Sequence, residues 1–408
     1  MTFHDPCRTL CRRVLEAALI LFALSLTVQS SGGEAQYRGG AGRANYHPGA
    51  LGDRQPAPTT GPVVLLVEAR PLALTYSDGT RLELPVESRL IALETAGGRP
   101  LWTASLPAPV YRDFTIAGGV LYYYSWDQYY NACDARTGAL LWRRREDGPL
   151  GSPAVVVSDG VVHTGALALS AETGRELWRR GDARNLFLAP AVREARLFGG
   201  GRAVSALLGE DVWTSPEPDE AVAPALLAGE VLVTAGRDQR LYAFDAGSGE
   251  RLWALDVGAF IFSPAAEGGR VFVAARDRNL RALDARSGAE QWSVTTPGGF
   301  DGPPVAEGGR VFCRTRERYL FALDAASGAE LWKTRLDDEG PLPVEPASGG
   351  GVLIVVTGRR VRCFEAASGA QLWERTFERP VDWAGPLLTD PRRIPADPLK
   401  LRLQTPGP

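Results

Sequence analysis

Eight of the chain's ten tryptophans recur at an almost constant spacing. They are Trp102, Trp142, Trp178, Trp213, Trp253, Trp292, Trp332 and Trp373, separated by 40, 36, 35, 40, 39, 40 and 41 residues. Self-similarity at a period of about 20 to 50 residues is typical of repeat architectures, in which each period is one supersecondary unit. The sequence therefore predicts eight copies of a single structural unit.

The best-preserved copies, which end at Trp253, Trp292 and Trp332, each carry a tight Asp-Ala-x-Ser-Gly turn before the tryptophan. A Pro/Gly-rich start, a β-branched run such as Arg270–Ala275 and an alternating run fill the rest of the period, which gives four short strands. Because the turn glycine supplies the positive φ that the reversal needs, we interpret the neighbouring aspartates as turn residues. These aspartates are Asp134, Asp245, Asp284 and Asp324. The copy at Trp213 lacks this motif, so it is expected to have lost the turn.

A single four-stranded sheet of this length is marginally stable, but radial repetition packs each sheet against the next. The predicted fold is all-β, an eight-bladed β-propeller of four-stranded antiparallel blades. The eight repeated tryptophans are predicted to wedge between neighbouring sheets as structural residues. Ring closure stays open, because residues 61–66 and 385–390 both resemble a first strand and only one of them can fill that position.

The chain is divided into four segments. Arg8, Arg12 and Arg13 precede an apolar run over residues 17–28, so residues 1–35 are predicted to be a signal peptide, with an uncleaved anchor as the alternative. We expect an extended leader over residues 36–62, the propeller over residues 63–390 and a mobile proline-rich tail over residues 391–408. Because no cysteine follows the apolar run closely, a lipid anchor is not supported. We expect a periplasmic or secreted protein with no stable membrane span.

The charge, the cysteines and the histidines give no indication of a catalytic, metal or nucleic-acid site. The formal net charge of −3 gives no general attraction to nucleic acid. Cys133, Cys313 and Cys363 align with small or apolar residues of sibling repeats, so we interpret them as buried packing residues. The three histidines offer no metal pair, and neither a metal site nor a catalytic residue is assigned. A monomer is expected.

The repeat unit Ala-Leu-Asp-Ala-x-Ser-Gly-x-x-x-Trp resembles the pyrroloquinoline-quinone (PQQ) repeat, and the resemblance spans roughly residues 63–390. One branch of that family, the quinoprotein dehydrogenases, carries a vicinal Cys-Cys disulfide, calcium ligands and an aspartate base. This sequence has no adjacent cysteines and no compact calcium motif. The resemblance therefore implies the non-catalytic BamB-like branch, a scaffold that binds envelope proteins without PQQ. The alternatives are a PQQ-binding quinoprotein and a ligand-sensing or carbohydrate-binding propeller.

In a propeller, the loops that leave the tryptophan strands share one face with the turns between the second and third strands. The linking loops on this face contribute Arg112, Asp113, Arg184, Phe260, Phe300, Asp301 and Trp383 as partner-binding candidates. The turns contribute Arg240, Arg278 and Arg318, and the aromatic run of blade two adds Trp126 and Tyr129, which are expected to be exposed. Excess aromatic residues and arginine are typical of recognition surfaces. A solvated rim of turns copied by duplication is the alternative.

Overall fold

The structure is a computed structural model that describes residues 63–75, 81–146, 154–164, 167–181, 190–218, 220–337, 346–381 and 387–389. These residues belong to one compact unit, residues 38–408. The segments assigned as signal peptide, leader and tail (residues 1–35, 36–62 and 391–408) lie outside the described residues. Throughout the described ranges the secondary structure is strand and turn, in agreement with the predicted all-β class.

The strands form eight four-stranded sheets, the blades. Blade one contains β1 (Val63–Thr75), β2 (Arg81–Glu94) and β3 (Pro100–Ser105), and blade two contains β4 (Val110–Ala117), β5 (Val120–Ser125), β6 (Tyr129–Asp134) and β7 (Leu140–Arg145). Blade three contains β8 (Val156–Ser158), β9 (Val161–His163), β10 (Leu167–Ser170) and β11 (Glu176–Arg179), and blade four contains β12 (Ala191–Arg193), β13 (Arg196–Gly199), β14 (Arg202–Ser205) and β15 (Asp211–Thr214).

The second half of the chain continues in the same order. Blade five contains β16 (Leu226–Ala228), β17 (Val231–Ala235), β18 (Arg240–Asp245) and β19 (Arg251–Asp256), and blade six contains β20 (Ala265–Glu267), β21 (Arg270–Ala274), β22 (Asn279–Asp284) and β23 (Glu290–Thr295). Blade seven contains β24 (Val305–Glu307), β25 (Arg310–Arg314), β26 (Tyr319–Asp324) and β27 (Glu330–Arg335), and blade eight contains β28 (Ala347–Gly349), β29 (Val352–Thr357), β30 (Arg360–Glu365) and β31 (Gln371–Thr376). The last strand is β32 (Leu387–Thr389).

The last strand answers the question of ring closure. β32 pairs antiparallel with β1, so blade one has the strand order β3-β2-β1-β32. The innermost strands contact one another at most of the blade boundaries, and β32 contacts β28 in this way. The C-terminal segment therefore supplies the innermost strand of blade one, and the N-terminal strand takes the second position.

Apolar packing closes the ring at every blade boundary. The buried apolar residues form eight clusters, and each cluster combines side chains from two neighbouring blades. Val64 and Leu66 of blade one, for example, pack with Ile354 and Val356 of blade eight. Because no blade can bury its apolar faces alone, the stability of each blade depends on its two neighbours.

The repeated tryptophans lie on the outermost strand of each blade, opposite a small residue of the third strand. Each faces an alanine, except that Trp373 faces Cys363. A register shift directly after this small residue recurs in all eight blades. Such a bulge re-aims a side chain, and the small partner leaves room for the indole beside the sheet.

Seven of the indoles are bound to the next blade. Their Nε1 groups donate to backbone oxygens one blade further on: Trp142 to Ala171 (2.8 Å), Trp178 to Ala206 (2.9 Å), Trp213 to Ala246 (3.0 Å), Trp253 to Ala285 (2.9 Å), Trp292 to Ala325 (3.2 Å), Trp332 to Ala366 (3.0 Å) and Trp373 to Thr95 (2.7 Å). The eighth, Trp102, packs against the apolar cluster between blades one and two. The tryptophans therefore join neighbouring blades, the position that the repeat predicts.

The turn aspartates accept hydrogen bonds within their own turns, as the sequence predicts. In blade seven, Asp324 Oδ1 accepts hydrogen bonds from the backbone N–H groups of Ala326 (3.1 Å) and Ser327 (2.8 Å) and from the Ser327 hydroxyl (2.7 Å). Asp134, Asp245 and Asp284 accept the corresponding bonds. The expectation that blade four has lost this turn is wrong, because Gly209 N–H still donates to the Ser205 carbonyl at 2.9 Å.

Candidate functional site

The candidate surface is the upper face of the propeller, which carries two kinds of segment. One kind is the turns between the second and third strands, here called the rim turns. The other is the linking loops, which run from the outermost strand of one blade to the innermost strand of the next. Antiparallel order places both kinds of segment at the same end of the blades.

Backbone hydrogen bonds fix four of the rim turns from two sides. In blade six, Arg276 N–H donates to the carbonyl of Phe260 in the preceding linking loop at 2.9 Å. Thr296 N–H, at the end of the outermost strand, donates to the Arg278 carbonyl at 3.1 Å. Equivalent pairs of bonds occur in blades two, five and seven. The side chains of the rim turns are therefore displayed from a rigid backbone rather than from free loops.

The aromatic candidates of blade two are less exposed than expected. Trp126 and Tyr129 are both half-buried, so the expectation of exposed rings is wrong. The guanidinium of Arg143 lies over the Tyr129 ring, 3.7 Å from its centroid, and is ion-paired with Asp127. The backbone N–H of Trp126 donates to the Pro109 carbonyl at 3.2 Å. Since one face of the Tyr129 ring is covered by a cation, this site presents a combined cationic and aromatic surface.

The arginines of the rim turns divide into two groups. In blade five, Arg237 is ion-paired with Glu220 at 2.7 Å and Arg240 with Asp256 at 3.5 Å. In blade six, the Arg278 guanidinium donates to the Pro297 carbonyl at 3.5 Å and has no carboxylate partner among the described residues. The candidate Arg240 therefore already has a partner within the chain, whereas Arg278 remains available for an external anion.

Two backbone positions in the rim turns carry arginine in a left-handed conformation. Arg278 has φ +72° and Arg318 has φ +66°, where the equivalent residues of blades two and five are glutamines. Arg278 is exposed, and Arg318 is half-buried. The carbonyl of Arg318 accepts a 2.7 Å hydrogen bond from Leu336 N–H, so this position is held by its own outermost strand.

The two phenylalanine candidates have different surroundings. Phe260 is half-buried at the upper face, with the Arg276 guanidinium 5.2 Å from its ring centroid. Phe300 is 1% exposed and belongs to the apolar cluster between blades six and seven. The expectation that Phe300 contributes an exposed ring is therefore wrong. Its bridge to Thr315 draws it into the sheet, and this pairing cannot be read from the loop sequence.

Asp301 lies beside Phe300 and forms an ion pair that the sequence did not reveal. Its Oδ1 accepts a 3.1 Å hydrogen bond from Nε of Arg314, whose side chain is 4% exposed. Burial raises the pKa of Asp301, and Arg314 opposes this shift. The equivalent residues of blade six are Phe262 and Ala274, so this buried ion pair replaces an apolar contact. The only signal in the sequence was a charged residue at a strand position that is apolar in sibling repeats.

Several candidates cannot be placed. Arg184 and Trp383 lie outside the described residues, as do the side chains of Arg112 and Asp113. The backbone of Arg112 and Asp113 belongs to the innermost strand of blade two, where a linking loop was expected. These four residues stay predictions.

The cysteines lie at three separate blade boundaries. Cys133, Cys313 and Cys363 are free and buried, each in a different apolar cluster. Burial raises the pKa of Cys133 to about 11 and that of Cys363 to about 12, which suits packing residues rather than nucleophiles. Among the described residues, no group of three or more His, Cys, Asp and Glu side chains is arranged to hold a metal ion. No helix able to cross a membrane occurs in the described ranges.

Blade four exposes an apolar turn that the sequence analysis missed. Leu207 and Leu208 are 59% and 65% exposed, in the two turn positions where most other blades carry a variable residue and Ser or Thr. Val212 on the next strand is also exposed. The lost turn motif was the available signal, since only this copy has leucines there.

A closed ring of eight four-stranded blades, with tryptophans docked from blade to blade, defines the class of eight-bladed PQQ-repeat propellers. A family profile described as PQQ_2, Outer membrane protein assembly factor BamB, matches residues 67–185, 165–299 and 296–391. The chain belongs to this family. The predicted family resemblance and the predicted fold class are both confirmed.

Solved structures share the fold at low sequence identity. The computationally designed Ika8 protein is 16% identical, with a TM-score of 0.59 over 69% of this chain and 92% of that chain. The quinohemoprotein alcohol dehydrogenase of Comamonas testosteroni is 14% identical, with a TM-score of 0.51 over 69% of this chain and 68% of that chain. BamB from Moraxella catarrhalis is 16% identical, with a TM-score of 0.49 over 74% and 96% of the two chains. No curated protein sequence matches the chain.

Proposed function

We propose that this chain is an exported, non-catalytic propeller that binds other proteins of the cell envelope through its upper face. The observation that carries the proposal is the repeated pairing of a cation with an aromatic ring on that face. Arg143 lies 3.7 Å from the Tyr129 ring centroid, Arg276 lies 5.2 Å from that of Phe260, and Lys333 lies 4.3 Å from that of Tyr319. These pairs stand on blades two, six and seven.

Pairs of this kind suit protein recognition for a physical reason. Aromatic residues and arginine are enriched in the buried centres of protein interfaces, where they supply apolar area and directional hydrogen bonds together. A ring that is already packed against a guanidinium loses little conformational freedom on binding, which lowers the entropic cost of association. The rigid backbone of the rim turns has the same effect.

Export is part of the proposal and rests on the N-terminal sequence. Three arginines followed by a short apolar run and small residues are typical of a secretory signal. The family match supports an envelope protein in general terms, and the described residues contain no helix able to span a membrane. We take the mature chain to act as a monomer.

The test is co-purification of envelope proteins with a double variant, Trp126→Ala with Tyr129→Ala. We expect a several-fold loss of captured partner at a temperature well below the melting temperature of the variant, which is measured alongside because the half-buried rings also contribute to packing. The matched control is Arg136→Ala with Leu140→Ala, two exposed side chains at the opposite-face turn of the same blade. Full capture by the Trp126/Tyr129 variant would remove these residues from the binding surface.

One observation favours a second candidate, a quinone-dependent activity. Asp301 is a partly buried carboxyl group with a raised pKa beside Arg314, and perturbed carboxyl groups are candidate bases. The cysteines fit a bound quinone poorly. The vicinal disulfide that the dehydrogenase branch carries has no counterpart, since Cys133, Cys313 and Cys363 lie in three different clusters. We therefore propose that the chain works without PQQ.

A thermal melt of the purified protein with and without PQQ and calcium separates the two candidates. A ligand that binds only the folded state raises the melting temperature by mass action. Our proposal predicts no shift. A shift of several degrees that is lost in Asp301→Asn would establish the quinone-dependent candidate instead.

A further inference from the structure

The arginines around one linking loop form a distinct group on the upper face. The arginine cluster is defined here as Arg276 and Arg278 of blade six and Arg316 of blade seven, all of them exposed. Arg278 and Arg316 meet at the same residue, Gly299. An added Cβ on Gly299 would lie 3.0 Å from Cγ of Arg278, and the Gly299 carbonyl accepts a 3.1 Å hydrogen bond from Arg316 N–H. The Arg278 side chain and the Arg316 backbone, from two neighbouring blades, therefore both pack on this one glycine.

The nearby carboxylates are bound within the chain, which leaves the cluster with a positive surplus. Asp277 accepts hydrogen bonds from Asn279 and is ion-paired with Arg281. Although its burial acts in the other direction, these bonds lower the pKa of Asp277. Asp301 is ion-paired with the buried Arg314 at 3.1 Å, and it also interacts electrostatically with the more distant Arg316.

Glu317 is the remaining acidic residue beside the cluster, and its carboxyl group folds back against Gly298. The three arginines still exceed it by two charges. Among the described residues, no carboxylate lies within 4.0 Å of Arg276, Arg278 or Arg316. In blade five, by contrast, both rim-turn arginines have a carboxylate partner.

The cluster also has an apolar side. The Arg276 guanidinium lies over the Phe260 ring, and Phe262 meets that ring edge-on with 5.7 Å between centroids. Phe260 and Phe262 are both half-buried. A guanidinium packed on a ring keeps its planar donors directed outward, where they match the two oxygens of a carboxylate.

We propose that the arginine cluster binds an acidic segment of a partner polypeptide, which places Asp or Glu carboxylates on Arg278 and Arg316 and an apolar side chain on Phe260. The proposal rests on the protein-binding function proposed above and names the chemistry of the partner. A polypeptide fits better than free phosphate or sulfate, because an acidic polypeptide supplies carboxylates and an apolar side chain together, whereas these ions have no apolar part. Binding should weaken as salt rises, since the arginines are exposed.

The test uses the purified protein and a fluorescently labelled oligo-glutamate peptide with a central leucine. We expect binding at low salt that falls about tenfold in Arg278→Glu with Arg316→Glu. The matched control is Arg136→Glu with Arg286→Glu, which makes the same charge change on exposed turns of the opposite face and should change the affinity less than about twofold. Equal losses in both variants, or no binding to the wild type, would overturn the proposal.

Two further experiments distinguish a lipid ligand from a polypeptide ligand, and the role of the arginine cluster from protein binding in general. Stronger binding to phosphatidylglycerol vesicles than to the peptide, lost in the same double variant, would assign the cluster to lipid and overturn the polypeptide proposal. Unreduced capture of envelope proteins by the Arg278/Arg316 variant would overturn this inference while the protein-binding function stands. Failure of the wild type to capture any envelope protein would overturn that function separately.

Discussion

At the scale of single residues, the fold depends on small side chains beside large ones. Trp292 lies between Ala282, its partner across the outermost strand pair, and Gly328 in the next blade. A Cβ added to Gly328 would lie 2.7 Å from Cδ2 of the indole, and this glycine also has φ +72°. The repeat therefore keeps glycine for two independent reasons, the turn conformation and the room that the indole needs.

The first prediction concerns Trp292. Replacement by alanine should lower the free energy of unfolding by about 3 to 5 kcal/mol, because a large ring at a blade boundary is removed. Trp292→Phe should cost less, since it keeps a ring and loses the hydrogen bond to Ala325. Chemical denaturation measures both values, and Leu331→Ala, an exposed position on the outermost strand of blade seven, is the control. An unchanged stability in Trp292→Ala would contradict the docking role.

The second prediction concerns His163, which is fully buried on the second strand of blade three. Burial lowers its pKa to about 4, and Nε2 lies 3.3 Å from Ser158 Oγ. Between pH 6.5 and 4 the unfolded chain binds a proton that the folded chain excludes, so folding should weaken by about 3 kcal/mol as pH falls through this window. Below and above the window His163 adds no slope.

A variant isolates this contribution from the titrating carboxylates. The difference in unfolding free energy between the wild type and His163→Leu should change with pH only within that window. Denaturation curves at several pH values measure it. Parallel pH profiles for the two proteins would show that His163 takes up a proton in the folded state as readily as in the unfolded chain.

At the scale of structural elements, blade four shows that the turn forms even where the Asp-Ala-x-Ser-Gly motif is absent. Ser205 replaces the usual aspartate, yet Leu208 N–H donates to Ser205 Oγ at 3.2 Å and the glycine contacts the tryptophan of the previous blade. The bulge and the docked indole hold the backbone here, without the Asp-Ser bonds that blades five, six and seven make in this turn. The sequence change does expose two apolar side chains, Leu207 and Leu208, to solvent.

Restoring the repeat in blade four gives the third prediction. Ser205→Asp with Leu208→Ser should raise the free energy of unfolding by roughly 1 kcal/mol through the restored turn bonds, because Leu208 buries little area that could be lost. Thermal and chemical denaturation measure the change, with Leu207→Ser as a control that adds no aspartate bond. Destabilisation by the double variant would mean that the exposed leucines are packed against something in the native protein.

The repeat allowed the fold to be predicted, but it predicted the upper face less well. Strand alternation fixes which side chains point into a blade, so the core positions and turn aspartates followed from the period. The loops have no period. Phe300 is buried because it pairs with Thr315, and Asp301 is partly buried by Arg314, and both contacts depend on tertiary structure. Trp126 and Tyr129 are half-buried for the same reason.

At the scale of the whole molecule, the ring is closed by hydrogen bonds between the two ends of the propeller. The sequence offered two equivalent segments for one position, and local pattern could not choose between them. In the structure β1 pairs with β2 on one side and with β32 on the other, so both segments belong to blade one. The two ends of the described propeller together complete the four strands of blade one.

Removal of the closing strand gives the fourth prediction. A chain that ends at Pro386 should lose stability well beyond the effect of a single substitution, because β1 becomes an unpaired edge and β28 loses a neighbour. The melting temperature measures this, and a chain that ends after Pro391 is the control. Equal melting temperatures would show that the pairing of β32 with β1 contributes little to the ring.

The most direct test of the account is site-specific photo-crosslinking in the native cells, with the photoreactive residue placed at Tyr129, Phe260 or Arg278 on the upper face, and at Arg136 or Arg286 on the opposite face. We predict discrete protein adducts from the upper-face positions and none from the other two. Adducts distributed equally over both faces, or confined to the opposite face, would contradict the claim that this propeller binds proteins through its rim turns and linking loops.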